Sequence, residues 1–575
     1  MTEYIRPREI ISLRPSREEQ VSALMEQLGI SETLSRIIAG RGLTTFEESK
    51  RFFNPSLTDF IDPFTFCDME ELVERILAAR ENKEIVCIYG DYDVDGITST
   101  AFMMRFLKKI DISCTYYVPN RLTEGYGLSK EGIQTVREKG ASLIITVDTG
   151  ITAVEEVEYA KSLGLDIRIT DHHEPQEEEP RTSIIDPKSH RESYPEKNLC
   201  GAGVALKLAQ ALCIRGGFPE EFWQDELDLV ALGTAADIVP FAGENRIITF
   251  FGYKQMVKTQ CLGLKILMEL KKLTKPVITT ADIVFNIAPA INAAGRLGDP
   301  SRGVRLLLSQ DEGECRLFAQ DLIKKNIERK TYNIKVEEDI TAKISDLTNL
   351  SEEYAVIAGH ADWHRGVVGI AASKTVEKYC RPAFIFSIDS EGTARGSGRS
   401  IDGCDLMQAL KECEDILLQY GGHAMAAGAS LRKENIPAFR IRFNAAVAKQ
   451  LTRENLTPRI YADASIAIPQ LTPKFFKTLS RMQPFGPGNM RPVLYSRNVT
   501  VEKLKRVGKK GEHLKMSVSQ SRQYIEAIAF GFGPRIHEVQ SAYQNSLAYT
   551  LNENTFNGRT NLQMVVKGIE SVQQE

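Results

Sequence analysis

The stretch Glu84–Thr100, EIVCIYGDYDVDGITST, constrains the fold more than any other part of the chain. Glu84–Tyr89 is a short apolar run rich in β-branched residues, bounded by Gly90, and reads as a buried strand. Asp91, Asp93 and Asp95 follow at alternate positions and Gly96 ends the loop. Ile97–Lys109 then reads as a helix with an apolar stripe through Ile97, Phe102, Met103 and Phe106. The carboxylates thus stand where a strand gives way to a helix, the place where open α/β sheets bind ligands. Crowded carboxylates repel one another unless a cation sits between them, so the loop is a candidate metal site. Asp95 has a second reading, as the N-cap of the helix. A calcium loop is excluded: D-x-D-x-D-G needs a Glu at its twelfth position, where Phe102 stands, and a strand rather than a helix precedes it.

A chain of 575 residues has room for about three or four domains. No apolar run reaches the ~18 residues of a membrane span, and the charged N-terminus lacks an apolar signal core, which argues against secretion. The ten cysteines are scattered without a C-x-x-C pair, as expected of free thiols in a reducing cytoplasm. With a net charge of -4, any polyanion must be gripped by local patches.

The expected order is an N-terminal helical region and connector (1–80), then strands alternating with helices (81–310), which implies βαβ units and a mostly parallel sheet. Residues 311–350 are charged at helical spacing and read as one long, solvated linking helix whose Lys324, Lys325, Arg329 and Lys330 could line a polyanion path. A second α/β lobe occupies 351–455, and the β-rich pattern of 456–575 predicts a small barrel or sandwich.

Each early strand ends in a potential ligand: Asp91 and Asp93, then Asp148 in VDTG, then Asp171, His172 and His173 in TDHHE, with Asp237 in GTAADIVP as a further acid. Acids at successive strand ends of one sheet converge on one crevice. Carboxylates with one or two imidazoles and no thiolate suit Mn²⁺ or Mg²⁺. So many ligands imply two ions about 3.5–4 Å apart, with Asp148 as candidate bridge, attacking phosphorus with activated water. One histidine of the pair would ligate and the other protonate the leaving oxygen or stabilise charge. In the second lobe, GTARGSGRS (Arg395, Ser397, Arg399), YGGHAMAAG (His423) and HRGVVGIAASK read as flexible or helix-entering glycine turns for phosphate. Arg296 in NAAGRLG, and Arg121 with Tyr126 in NRLTEGYGLS, are further contacts for backbone or base. KLKRVGKKGEHLK is a basic hairpin near aromatic strands.

With GDYDVDG, VDTG, DHH, LCGAGVA, GTAADIVP and NAAGR in this order, and HRGVVGIAASK, GSGRS and YGGHAMAAG beyond them, the chain resembles the DHH phosphoesterase superfamily, closest to its long bacterial single-strand-specific DNA exonucleases. The resemblance implies DHH and DHH-associated lobes joined by a long helix, plus an OB-fold. It implies metal ligands Asp91, Asp93, Asp148, His172 and Asp237, a catalytic His173 alongside Asp148 and Asp95, and phosphate handling by Arg296, Ser397 and Arg399. It further implies 5′→3′ release of mononucleotides in recombination and repair, a DNA channel between the lobes, and single-strand-binding protein and a RecQ-type helicase as partners of a cytoplasmic monomer. Pyrophosphatase-like relatives carry a His just upstream of D-x-D, where Cys87 and Ile88 stand here. The competing expectations are hydrolysis of short oligonucleotides or cyclic dinucleotides, and a non-catalytic scaffold.

Overall fold

Regular structure begins with a strand, β1 (Ile10–Leu13), ahead of helices Glu18–Leu28, Glu32–Ala39 and Phe46–Phe53 in the computed structural model, which describes residues 8–120, 124–342, 350, 352–556 and 559–572. Helices make up most of the regular structure in this region, and β1 is the addition to the expected helices: it pairs in parallel with the distant strand Arg459–Ala462, a partnership with no local signature. Two compact units result. One holds residues 50–328 and 482–490; the other holds residues up to 49, 329–481 and those from 491 onward.

In the first unit, β2 (Val86–Gly90), β3 (Cys114–Tyr117), β4 (Leu143–Val147), β5 (Asp166–Thr170) and β6 (Ile184–Ile185) form a wholly parallel sheet in the order β3–β2–β4–β5–β6. The central strands β2 and β4 are buried along their whole length because both faces are covered: Val86, Ile88 and Ile145 enter one core, Cys87, Tyr89 and Ile144 the other. The helix after β2, Val94–Lys109, is buried nearly all round, so its expected single stripe is wrong; it is an interior helix. From β2 the chain goes to β3 on one side and to β4 on the other, and the strand order reverses between β2 and β4, opening a crevice at their carboxyl ends.

The connector before β2 is clamped by a buried ion pair. Glu244 accepts from the Ile61 amide (3.0 Å), the Tyr194 hydroxyl (2.5 Å) and the Lys207 ammonium (2.9 Å), and Lys207 also donates to the Ile61 carbonyl (2.6 Å). Lys207 is fully buried. Removing one partner strands the other charge in a dry core, so Glu244→Ala is expected to cost about 3–5 kcal/mol in denaturant unfolding, with the specific activity of folded protein unchanged.

In the second unit, β7 (Val356–His360), β8 (Ala383–Ile388), β9 (Thr393–Arg399), β10 (Gln419–His423) and β11 (Ala426–Arg432) form a mixed sheet ordered β10–β11–β9–β8–β7, in which only β7 and β8 are parallel. Two expectations fail here. GTARGSGRS is not a flexible cradle but lies mainly in strand β9, whose Gly398 lies under the Phe384 ring, where a Cβ would come within 2.5 Å. YGGHAMAAG is the β10–β11 hairpin rather than a turn into a helix. Such glycine and alanine runs hold few β-branched residues, Thr393 being the one in β9, and pairing makes them strands. The expected linking helix spans Glu312–Ala342.

Beyond it come β12 (Arg459–Ala462), β13 (Ala464–Ser465), β14 (Leu494–Val507), β15 (His513–Gln520), β16 (Gln523–Ala529), β17 (Gln544–Phe556) and β18 (Arg559–Val572). The pairings β14–β15–β16–β18–β17 and β17 back to β14 close a five-stranded barrel of OB type. The basic segment forms the β14–β15 hairpin, with Lys503, Lys505, Arg506, Lys509 and Lys510 exposed.

Candidate metal centre and phosphate site

Asp93, not Asp95, caps the helix after β2: its carboxylate accepts from the Asp95 (2.8 Å) and Gly96 (3.1 Å) amides. Gly96 is required by close approach, since a Cβ there would lie 2.6 Å from the Asp91 backbone nitrogen. Asp95 turns inward instead. Its two oxygens accept from the amides of Gly201 (2.6 Å) and Ala202 (3.0 Å), capping the helix Gly201–Gly216 from another element. The loop is held from a third side by Asn292 of NAAGR, whose side-chain oxygen accepts from the Val94 amide (3.2 Å), and by Gly295, where a Cβ would meet the Tyr92 carbonyl at 2.8 Å.

Asp148 follows β4 with φ +62°, a left-handed conformation that Asp tolerates better than most residues and that strained sites retain. Gly201 makes room for it; a Cβ there would lie 2.7 Å from Asp148 Oδ1. His172, after β5, sets its Nε2 3.1 Å from Asp148 Oδ1, 3.7 Å from Asp237 Oδ2 and 3.9 Å from Asp95 Oδ2. Asp237 stands at the C-terminal end of helix Leu227–Ala236. Three overlapping ligand groups emerge: Asp91, Asp93 and Asp148; Asp148, His172 and His173; and Asp95, His172 and Asp237.

Charge crowding shows in the titration of these groups. Burial, reinforced by Asp93, pushes Asp91 up to about 8 and Asp95 to about 7. Burial and then Asp95 push Asp237 to about 8, and burial plus the Asp95 and Asp93 charges hold Asp148 well above the usual carboxylate range. Burial lowers His172 to about 3, so its imidazole is neutral, and a hydrogen bond with the Leu199 backbone orients the ring.

His173 behaves oppositely. Burial works against its charge, but its Nδ1 lies 2.7 Å from Asp171 Oδ1, and that bond lifts it to about 9. Asp171 also accepts from the amides of Ile151 (2.9 Å) and His172 (2.7 Å). Asp171, expected as one of the strand-end ligands, falls outside the ligand groups and instead orients His173.

Tyr126, half exposed, stands beside this centre: its hydroxyl lies 3.1 Å from His173 Nδ1, and its ring meets Tyr92 edge-on at 6.4 Å. Arg121 lies outside the described residues. Arg296 is half-buried in the last turn of helix Ala288–Leu297. Cys87 points into the apolar core with Tyr89, its thiol pushed up to about 12 by burial, and does not replace the upstream histidine of pyrophosphatase-like relatives.

In the second unit, Arg399 donates to Ser397 Oγ (2.9 Å) and the Gly398 carbonyl (2.7 Å). Both side chains flank the start of helix Val368–Tyr379, where a Cβ on Gly369 would lie 3.2 Å from Ser397 Oγ and 3.4 Å from Arg399 Nη2. No side chain caps that helix, so its free amides, a hydroxyl and a guanidinium converge as an anion site would require. His423 ends β10 and is exposed.

The first-unit residues fit two hard cations. Asp91 Oδ1 and His172 Nε2 are buried without a hydrogen-bond partner, a costly state for both unless a ligand completes them, and the donors are oxygens and one imidazole. Known proteins agree. Residues 85–234 match the DHH family N-terminal domain, 351–449 the DHHA1 domain and 462–568 the RecJ OB domain. The chain is 37% identical over 555 residues to the single-stranded-DNA-specific exonuclease RecJ of Bacillus subtilis, covering 96% of this chain and 69% of that one. It is 33% identical to RecJ of Escherichia coli, covering 97% and 99%. The crystal structure of RecJ in complex with Mn²⁺ from Thermus thermophilus superposes with a TM-score of 0.83 at 27% identity, covering 99% of this chain and 80% of that one; a Mg²⁺ complex of that protein matches too. With this agreement in sequence, domain order and fold, the chain belongs to the RecJ family of DHH-type, single-stranded-DNA-specific exonucleases.

Proposed function

We propose that the chain removes mononucleotides from the 5′ end of single-stranded DNA in recombination and repair, with Asp91, Asp93, Asp148, His172 and Asp237 holding two Mn²⁺ or Mg²⁺ ions. The observation that carries this is the set of three ligand groups joined through Asp148 and His172, with Asp91 Oδ1 and His172 Nε2 buried and left open. The ions would supply Lewis-acid charge on the phosphoryl oxygens and activate water. Asp148, with one oxygen beside His172 and a place in the carboxylate triad, is the residue suited to bridge. Asp95 acts one step back, fixing the Gly201 helix end against the metal loop. His173, kept cationic by Asp171, stabilises charge on the scissile phosphate or gives a proton to the leaving oxygen. Ser397, Arg399 and the amides of helix Val368–Tyr379 suit a phosphate of the strand, and Arg296, Arg121, Tyr126 and His423 are further contacts.

The OB barrel with its basic hairpin favours a polymer over a dinucleotide, and the intact acid set argues against a scaffold. Among the described residues, no helix is long and apolar enough to cross a membrane. A cytoplasmic monomer working with single-strand-binding protein and a RecQ-type helicase, and domain boundaries at 80, 310, 350 and 455, complete the reading.

The deciding experiment is degradation of a single-stranded oligonucleotide labelled at either end, with Mn²⁺, Mg²⁺ or EDTA. Immediate release of the 5′ label as mononucleotide, with metal only, is expected; cleavage of dinucleotides but not polymer would sink the assignment. Asp171→Asn can keep the bond to His173 through its carbonyl oxygen while losing the charge and the acceptor for the Ile151 amide, and is expected to lower kcat about 10²–10⁴-fold with KM little changed in the same assay.

A further inference from the structure

Asp237 is followed by an unusual turn. Ile238 has φ +65° and is 64% exposed, a left-handed β-branched residue beside a ligand of the proposed centre. Such a conformation costs about 1–3 kcal/mol and persists only where its surroundings over-determine it. The surroundings here are supplied by Met482–Met490, MQPFGPGNM, which packs with the catalytic unit although the residues on both sides of it group with the other unit.

The contacts fall on Pro240 and Phe241, just past the strained turn. The Phe241 amide donates to the Pro487 carbonyl at 2.7 Å. Gly486 lies against the buried Phe241 ring, where a Cβ would come within 2.5 Å, and Gly488 faces Pro240 at 3.2 Å by the same measure. The segment is anchored in turn. Arg246, buried and stacked on Phe52 at 3.6 Å, donates to the Met482 (3.2 Å) and Gln483 (3.1 Å) carbonyls. Thr280 donates to the Phe485 carbonyl, and Asn489 stitches the loop to its own Met482 (2.7 Å) and Pro484 (2.9 Å) carbonyls.

We propose that Met482–Met490 is a positioning strap: by holding Pro240 and Phe241 it keeps the Ile238 turn in its strained form and aims Asp237 at the metal centre. The strap thereby links the chain segment leading into the OB barrel to the metal affinity of the catalytic unit. This rests on Asp237 being a ligand, and the test separates the two. In the full chain, Mn²⁺ binding is titrated by electron paramagnetic resonance of the free ion. Gly486→Ala is expected to weaken binding about 10–100-fold, the range seen for residues that orient metal ligands, with kcat recovered at high Mn²⁺. Ile238→Asn, which accepts left-handed backbone, is expected to restore affinity in the Gly486→Ala protein. Thr280→Val, deleting one anchor, is expected to show a smaller loss and decides the matter if Gly486→Ala does not fold. Unchanged Mn²⁺ affinity in the strap variants, alongside weakened binding in Asp237→Asn, overturns the strap alone; unchanged affinity in Asp237→Asn overturns the ligand assignment and the strap with it.

Discussion

Asp148→Asn is expected to lower kcat for single-stranded DNA by about 10³-fold or more, equivalent to ~4 kcal/mol of lost transition-state stabilisation. Asn is the informative replacement. Asp148 sits at φ +62°, and its Cβ and carboxylate press on Gly201, so a change that upset the backbone would confuse lost chemistry with lost fold. Asn tolerates left-handed backbone and is isosteric, so the turn survives while the bridging charge does not. A second consequence has the opposite sign. Asp148 is buried among Asp95, Asp93, Asp91 and Asp237, all of which disfavour its ionised form. Removing it relieves repulsion, so the metal-free variant is expected to melt above the metal-free wild type. Thermal unfolding in EDTA checks this, and a fall in both activity and stability would mean that the substitution damaged the fold instead.

The core strands β2, β4 and β5 could be read from sequence because they are short runs rich in β-branched residues, bounded by Gly90, Asp148 and Asp171, whereas the half-buried edge strand β3, CTYY, carries too little apolar signal to be expected. The ligand set could be read for the same reason: a parallel sheet puts every strand's carboxyl end on one edge, so acids just after those ends must meet. What could not be read depends on tertiary contact. Nothing local says that Asp95 caps a helix starting at Gly201, or that Gly201 and Gly96 are glycines because Asp148 and Asp91 press on them. β9 and β10 have few strand-forming residues beyond Thr393 and Tyr420, and are held by pairing and by Phe384 lying on Gly398. Met482–Met490 resembles a proline–glycine linker, and only the packed chain reveals Phe241 and Arg246 waiting for it.

Stripping the metal is expected to make stability fall as pH rises, and restoring it to cancel that slope. Unfolded aspartates titrate near 4, whereas Asp91 and Asp237 are pushed up to about 8 and Asp95 to about 7. Between about pH 4 and pH 8 the folded metal-free protein therefore binds more protons than the unfolded chain, and stability declines with pH across that window. His173 adds to the decline, since its value near 9 lies above an unfolded value near 6.5 and its contribution is lost as pH passes 9. His172, lowered to about 3, destabilises only below about pH 6.5 and is already neutral for ligation at pH 7. Divalent cations must displace the protons on Asp91, Asp148 and Asp237, so Mn²⁺ binding at pH 7 is expected to release protons and to tighten with pH. Melting in EDTA should fall from pH 6 to pH 8.5 while melting with Mn²⁺ holds or rises, and calorimetric titration in buffers of different ionisation enthalpy counts the protons. A metal-free melting temperature that rose over this interval would show that the acids are ionised and paired within the protein, leaving the cluster no need of a cation.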